Sequence, residues 1–360
     1  MSSTPTVMAR EMAEQPAVAA RTLEALLPLR ADVARLAQGG RRVLLVARGT
    51  SDNAAVYARY LLETHAGIAA SLAAPSVATH YAARLDLSDT LVVSVSQSGE
   101  TAEIVQTQEW ASANGAATIG VSNDATSALA TGADLALTTL AGPEVAVPAT
   151  KSHVTQLVAM AVLGTALSPD VESLDADLER VPGAIAALLD QRAGVDAAVE
   201  VLEEASATVV SGRGLLMGTA LETALKLEET CGRPVRGYSY ADLRHGPIAV
   251  VEPGVAAVLV AAQDGPMREP VVELAGDLAR RGATTVGIGG DAELARTVDV
   301  HVAGPDLPEA VAPLATIVAS QLVVEQLARR LGRDPDQPEG LAKVTSTDPI
   351  RGTEEPVEEA

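Results

Sequence analysis

The chain has no phenylalanine, one tryptophan and one cysteine among its 360 residues. Without phenylalanine its cores must be packed with Ala, Val and Leu, which a hydrophobic content of 48% can supply. The single cysteine, Cys231, excludes an intramolecular disulfide framework and a cysteine-rich metal site, and its expected role is a small buried apolar side chain. Basic residues are also scarce: 26 Lys and Arg stand against 47 Asp and Glu, a net charge of -21. That charge repels nucleic acid and anionic membranes at long range, so neither is expected as a partner. A phosphorylated ligand must then be attracted locally, by amides, hydroxyls and a few cations. No apolar run is long enough and free enough of charge to span a bilayer. The opening MSSTPTVMAREMAEQP lacks the cationic stretch and apolar core of a secretion signal. A cytoplasmic protein with room for two domains is expected. His65, His80, His153 and His301 show no metal-ligand spacing and read as structural, so no metal is expected.

What the chain does contain is a strand, a hydroxyl-rich turn and a helix start in immediate succession, VVSVSQSGETAE from Val92 to Glu103. Leu91–Val95 is short and β-branched. Ser96-Gln97-Ser98-Gly99-Glu100-Thr101 breaks it, and a helical pattern through Ile104 and Val105 follows. Exposed backbone N–H groups and the positive end of a helix dipole face an anion in such a turn, and Ser and Thr hydroxyls donate to its oxygens. The plainer reading is a helix cap with a solvated turn.

Residues 5–38 are helical in pattern, and Gly39-Gly40 stops them. Val43–Ala47 is a buried strand, Arg48-Gly49-Thr50-Ser51 a tight turn, and Asp52–Thr64 an amphipathic helix. Further strands fit Ile68–Leu72, Leu91–Val95, Ala117–Val121 and Leu135–Thr138, separated by helices. That alternation implies a parallel sheet covered on both faces. The second half repeats the first at an offset of about 165 residues, a domain-sized duplication. Val209–Gly214 answers Val43–Gly49, Ala256–Gly265 answers Val92–Gly99, Thr284–Ile288 answers Ala117–Val121, and Asp299–Val302 answers Asp134–Leu137. The second copy has Gln263-Asp264-Gly265-Pro266 in place of the hydroxyl turn, so only the first copy is suited to phosphate. A helical stretch from Thr150 to about Leu189 joins the halves. The acidic RGTEEPVEEA at the end reads as disordered.

The segments ARGTSDNAA, SVSQSGETAE, AGPEVAVPATKSHVTQL, ALETALKLEET, DLRHGP and DQPEGLAKVT occur in one order. In this the chain resembles the two-domain sugar isomerase (SIS) proteins from about residue 20 to 347. It is similar to the isomerase half of glutamine–fructose-6-phosphate aminotransferase, and more so to SIS-type glucosamine-6-phosphate deaminases. The resemblance implies an α/β fold of two tandem flavodoxin-like subdomains, each a parallel five-stranded sheet flanked by helices. It implies no metal or organic cofactor, and a homodimer. The expected divisions are an N-terminal helical segment at 1–40, a sugar-phosphate-binding subdomain at 41–168 and a helical linker at 169–195. A second subdomain at 196–332 and a tail at 333–360 complete the chain.

The same resemblance assigns the sugar phosphate to Ser96, Gln97, Ser98 and Thr101, with Ser51 as a further contact or a helix N-cap. It brings the Val147–Thr150 region against the sugar, with Ala149 where aminotransferases carry serine. Glu229 becomes the base that moves a proton between C1 and C2, a task for a carboxylate partly desolvated in a pocket. Periodicity does not separate Glu229 from Glu222 and Glu228; the motif selects it. Lys226 would stabilise negative charge on an enediolate-like intermediate, or pair with Glu229. His245 would open the sugar ring from the neighbouring subunit. Lys343 would form or assist a Schiff base with the open-chain ketose, its amine freed by burial or a neighbouring cation.

Met1-Ser2-Ser3 offers no N-terminal cysteine nucleophile, so glutamine is not expected as the ammonia source. The expected reaction is conversion of glucosamine 6-phosphate to fructose 6-phosphate and ammonia. Alternatives are a fructosamine-6-phosphate deglycase, another sugar-phosphate isomerase, ammonia-dependent aminotransfer, and a non-catalytic sugar-phosphate sensor. The Lys343-Val344-Thr345-x-Thr347 pattern leans toward the deaminase branch.

Overall fold

The computed structural model describes residues 5–39 and 42–343. The acidic end and the residues after Lys343 that lean toward the deaminase branch lie outside them. Two five-stranded, all-parallel sheets organise the chain. The first has β1 (Arg42–Val46), β2 (Ala69–Leu72), β3 (Thr90–Val95), β4 (Ala117–Ser122) and β5 (Leu135–Thr138) in the order β2-β1-β3-β4-β5. The second has β6 (Ala207–Gly212), β7 (Val235–Ser239), β8 (Val255–Ala261), β9 (Thr284–Gly289) and β10 (Val300–Val302) in the order β10-β9-β8-β6-β7. Read from the other edge, that is the same winding. In both sheets the strand order reverses beside the first strand, between β1 and β3 and between β6 and β8. There the flanking loops diverge and leave a crevice at the carboxyl ends of the strands. The central strands β3 and β8 are buried along their whole length, as their unbroken apolar runs require.

The structure departs from the sequence pattern in several places. The N-terminal helical stretch is three helices, Val7–Ala13, Gln15–Leu26 and Arg30–Leu36, because Pro16 starts the second and Pro28 lies in a 3-10 turn before the third. The helix after β1 begins at Gly49, three residues early, and runs to Leu61 before a π-helical turn, Leu62–Ala66. The connection between the halves is two helices, Lys151–Leu167 and Val171–Asp190, parted at Ser168-Pro169-Asp170. β7 has no counterpart among the strands read from the second half. It is an edge strand carrying Arg236 and Gly237, and its half-polar composition gives no strand periodicity.

One continuous apolar cluster runs through both halves, including Leu45, Tyr57, Leu61, Leu163, Leu227 and Val324. The helix Lys151–Leu167 is buried on every face through Thr165. A surface-helix stripe is therefore absent from its sequence. The helices Gly49–Leu61 and Met217–Cys231, one from each half, cross at Gly218. A Cβ there would lie 2.4 Å from the Asn53 carbonyl oxygen, so only glycine lets the two backbones approach this closely. The crossing fixes side chains of the second half against the first turn of the first.

Candidate active site

A cleft of about 470 Å³ opens at the carboxyl ends of β1 and β3. Ser51, Ser96, Gln97, Ser98, Thr101, Val147, Lys226, Glu229 and Lys343 all line it, as do Arg48 and Ala149. His245 does not. It caps the C-terminal end of the short helix Tyr240–Arg244 and is exposed.

The hydroxyl turn is pre-shaped. Ser96 accepts from the Gly99 N–H at 3.2 Å and pairs with the Thr101 hydroxyl at 3.1 Å. Ser98 accepts from the Glu100 N–H at 3.2 Å. A serine oxygen occupied as acceptor in this way still has its own proton to donate. Gly99 has φ +68°, and a Cβ on it would collide with Ser127, so the turn cannot be closed with another residue. Thr101 is the N-cap of the helix Ala102–Ala113, whose first N–H groups and dipole end face the same opening. Ser51 is not an N-cap. Arg48 holds that position, and Ser51 lies in the first turn, where its oxygen accepts from Gln156 at 2.9 Å.

Tertiary structure separates the three glutamates that periodicity could not. Glu222 is buried and accepts from Thr50 at 3.1 Å and Asn53 at 2.7 Å. Glu228 is exposed and faces away, into a neighbouring cavity. Glu229 lines the cleft and pairs with Lys226 at 2.5 Å. Lys226, almost fully buried, also lies 3.4 Å from Glu222. Burial alone would depress its ammonium, but Glu222 and Glu229 outweigh it and push the pKa above the usual lysine value. A fixed positive charge therefore sits at the floor of the cleft. His153, fully buried nearby, is pushed below the usual histidine range, by desolvation first, and is neutral.

Lys343 comes down onto the opposite wall. Its Nζ donates to Glu144 at 2.7 Å and to the Ala146 carbonyl at 2.7 Å. Glu144, inside AGPEVAVPATKSH, is not a residue that the sequence pattern singles out. Its side chain has no exposed area and also accepts from the Thr150 and Ser152 N–H groups and the Ser152 hydroxyl. Burial opposes its charge most strongly, yet Lys343 and these donors hold its carboxyl below the usual glutamate range. The signal was an acid among small and apolar residues with donors six and eight positions on, too common a pattern to single out.

The segment carrying Lys343 is pinned upstream. Asp336 accepts from the Val7 and Met8 N–H groups at 2.8 Å, satisfying the free start of the first helix. Its carbonyl accepts from Val147 at 2.8 Å. Glu11 of that helix accepts from Val145 and Ala146. N-terminal helix, 144–150 loop and C-terminal segment thus form one brace over the cleft.

Cys231 is buried against the Val324 carbonyl at 3.5 Å, and burial pushes its thiol up to about 12, so it is no nucleophile. Among the described residues no cluster of His, Cys, Asp and Glu could hold a metal ion, and no helix is long and apolar enough to cross a membrane.

Comparison with known proteins agrees with this architecture. The SIS domain family model matches twice, over residues 36–166 and 202–330. A glutamine–fructose-6-phosphate aminotransferase of Thermococcus kodakarensis is 33% identical over 350 residues; the match covers 94% of this chain but 58% of that protein. The structure of a candidate phosphosugar isomerase from Silicibacter pomeroyi DSS-3 superposes with a TM-score of 0.83 at 32% identity, covering 92% of this chain and 100% of that one. A glucosamine-6-phosphate deaminase from Thermotoga maritima gives 0.74 at 25% identity, over 95% and 100% of the two chains. With two sheets of identical winding, a duplicated sequence and a family match on each copy, the chain belongs to the SIS-domain family and carries two SIS repeats.

Proposed function

We propose that this chain is a sugar-phosphate isomerase whose specific reaction is the deamination of glucosamine 6-phosphate to fructose 6-phosphate and ammonia. The observation that carries the reading is the convergence, in one cleft, of an anion-shaped hydroxyl turn with a carboxylate, a buried ammonium and a second amine. The phosphate sits on Ser96, Gln97, Ser98 and Thr101, at two helix N-termini. The sugar extends past Ser51 and Val147 toward Glu229. Once the ring is open, Glu229 removes the proton from C2 and returns it to C1, leaving an imine at C2 that water hydrolyses to ketone and ammonia. Lys226 stands where negative charge develops on the intermediate. Lys343 donates to Glu144 and to the Ala146 carbonyl, and release from both precedes any attack by its nitrogen on the ketose.

His245 completes the set only if a second protomer brings it to the cleft, so the reading includes a homodimer with His245 acting across the interface. No metal or organic cofactor is called for. The likeness to a deaminase structure and to an aminotransferase supports amino-sugar chemistry; the same proton transfer run backwards would aminate fructose 6-phosphate.

The test is ammonia release from glucosamine 6-phosphate, compared with galactosamine 6-phosphate, fructosamine 6-phosphate, and fructose 6-phosphate plus ammonium. Ammonia from glucosamine 6-phosphate at a rate well above the other amino sugars is expected. Tight binding of every sugar phosphate with no turnover would make the protein a sensor and end the proposal.

A further inference from the structure

Resting on the assignment of the cleft to a sugar phosphate, we infer that Arg48 is the cationic member of the phosphate site and that Glu103 is its holder. An acidic protein of net charge -21 repels a phosphate dianion at long range, and without a cation hydroxyls and amides alone would have to offset that at close range. Lys226 and Lys343 are both engaged by carboxylates on the sugar side of the cleft. Arg48 is different in position. It is the N-cap residue of the helix Gly49–Leu61 and lines the cleft beside Ser96, Ser98 and Thr101.

Its guanidinium is gripped from one edge only. Nε donates to one Glu103 oxygen at 3.0 Å and Nη2 to the other at 2.9 Å, a bidentate pair. Nη1 makes no hydrogen bond within the described residues, and the side chain keeps 45% of its area exposed. Glu103 is nearly buried, at 7% exposure, in the first turn of the helix whose N-cap is Thr101. The pair therefore ties together the two helix starts that point at the turn. It does two further things. It cancels a carboxylate that would otherwise stand beside the incoming phosphate, and it holds the planar fork with a free N–H edge. Asp52, in the first turn after Arg48, is a further negative neighbour: burial raises its pKa and Arg48 lowers it. Lysine cannot reproduce this geometry, because a single ammonium cannot both bridge a carboxylate bidentately and present a second donor edge.

Binding of inorganic phosphate to the full chain, followed by calorimetry and by the rise in Tm, tests the inference directly. Loss of a charge-assisted contact predicts about ten- to hundredfold weaker phosphate binding in Arg48→Ala. Arg48→Lys should recover only part of it. Glu103→Gln keeps one accepting oxygen but sets an amide NH2 against the other guanidinium N–H, so the fork is held less firmly and phosphate should bind a few-fold more weakly than in wild type, though less weakly than in Arg48→Ala. For the amino-sugar phosphate, Arg48→Ala should raise KM with little change in kcat. If Arg48→Ala binds phosphate normally while Ser98→Ala is weakened, this inference fails and the phosphate site stands. If Glu103→Gln weakens phosphate as much as Arg48→Ala, the pair is only a brace and the inference also fails. If wild type and Ser98→Ala are alike in not binding phosphate, the functional reading falls and takes this one with it.

Discussion

Lys343 and Glu144, 199 residues apart in sequence, meet at 2.7 Å on the wall of the cleft, the carboxylate wholly buried and the ammonium reaching in from the C-terminal segment. The contact closes a brace that begins at Asp336 and Val7. On this wall Lys343 faces a carboxylate and a carbonyl rather than a neighbouring cation.

Removing the carboxylate should loosen that brace. Glu144→Gln leaves Lys343 without its counter-charge, and a pair this buried on one side costs about 2 kcal/mol or more to break. Trypsin should cleave at Lys343 at least about tenfold faster than in wild type at neutral pH. The pH dependence has a definite sign. The Glu144 carboxyl is held below its ordinary value of 4.5, so its contribution is present above that value and lost as pH falls through the folded one. Acid should loosen the wild-type segment and leave the variant's susceptibility nearly unchanged. Equal cleavage rates for the two proteins at neutral pH would show that the contact holds nothing.

Glu229→Gln preserves the shape of the side chain and a hydrogen-bonding oxygen for Lys226 while removing the base. Turnover of glucosamine 6-phosphate should drop by about 10²- to 10⁴-fold, with substrate Kd within a few-fold of wild type. Glu228→Gln, on the adjacent residue but facing away from the cleft, is the control and should turn over normally. Normal turnover by Glu229→Gln would move the base elsewhere.

The exposed position of His245 leads to a complementation test. His245→Ala and Glu229→Gln should each be nearly inactive alone. If the site is built across two protomers, unfolding and refolding the two together makes mixed dimers with one intact site each, and about a quarter of wild-type activity should return. A mixture no more active than its components would place His245 outside the reaction or within its own protomer's site.

Glu309 carries a stability prediction from the second repeat. In the first repeat the crevice is open; in the second, the Glu309 carboxylate lies between the turns at Gly214 and Gly265, and its N–H donates to Asp264 at 2.8 Å. Burial, and secondarily Asp264, raise its carboxyl from 4.5 to about 7. An acid that titrates higher in the folded state destabilises the fold as it ionises, so stability should fall as pH rises from about 4.5 to about 7. Glu309→Gln removes this. Its advantage over wild type should be absent below pH 4.5 and full above pH 7, at about 1–2 kcal/mol once solvent screening of a partly exposed group is allowed for. Denaturant melts at pH 4.5, 6 and 8 would read it; a constant difference across the three would mean that Glu309 does not titrate as described.

Much of the site's local chemistry is legible in the sequence. The strand, hydroxyl turn and helix from Leu91 to Ala113 follow from β-branched residues, a glycine that alone tolerates φ +68° and a threonine at an N-cap, all local effects. β7 was not legible, because an edge strand exposes half its surface and need not look apolar. Arg48 and Glu144 were not legible for a different reason: their roles depend on Glu103 and Lys343, partners that spacing does not reveal.

The sequence by itself determined the alternation of strand and helix and the single hydroxyl turn, which depend on residues within a few positions of one another, and the duplication, which needs only that such local patterns recur. Only the tertiary structure decided how Glu222, Glu228 and Glu229 are each surrounded, and that Lys343 is tied down by Glu144. Those outcomes depend on how closely the helices Gly49–Leu61 and Met217–Cys231 cross at Gly218 and on where the C-terminal segment lands. Both are contacts between distant parts of the chain, and no local pattern encodes the angle at which two such parts meet.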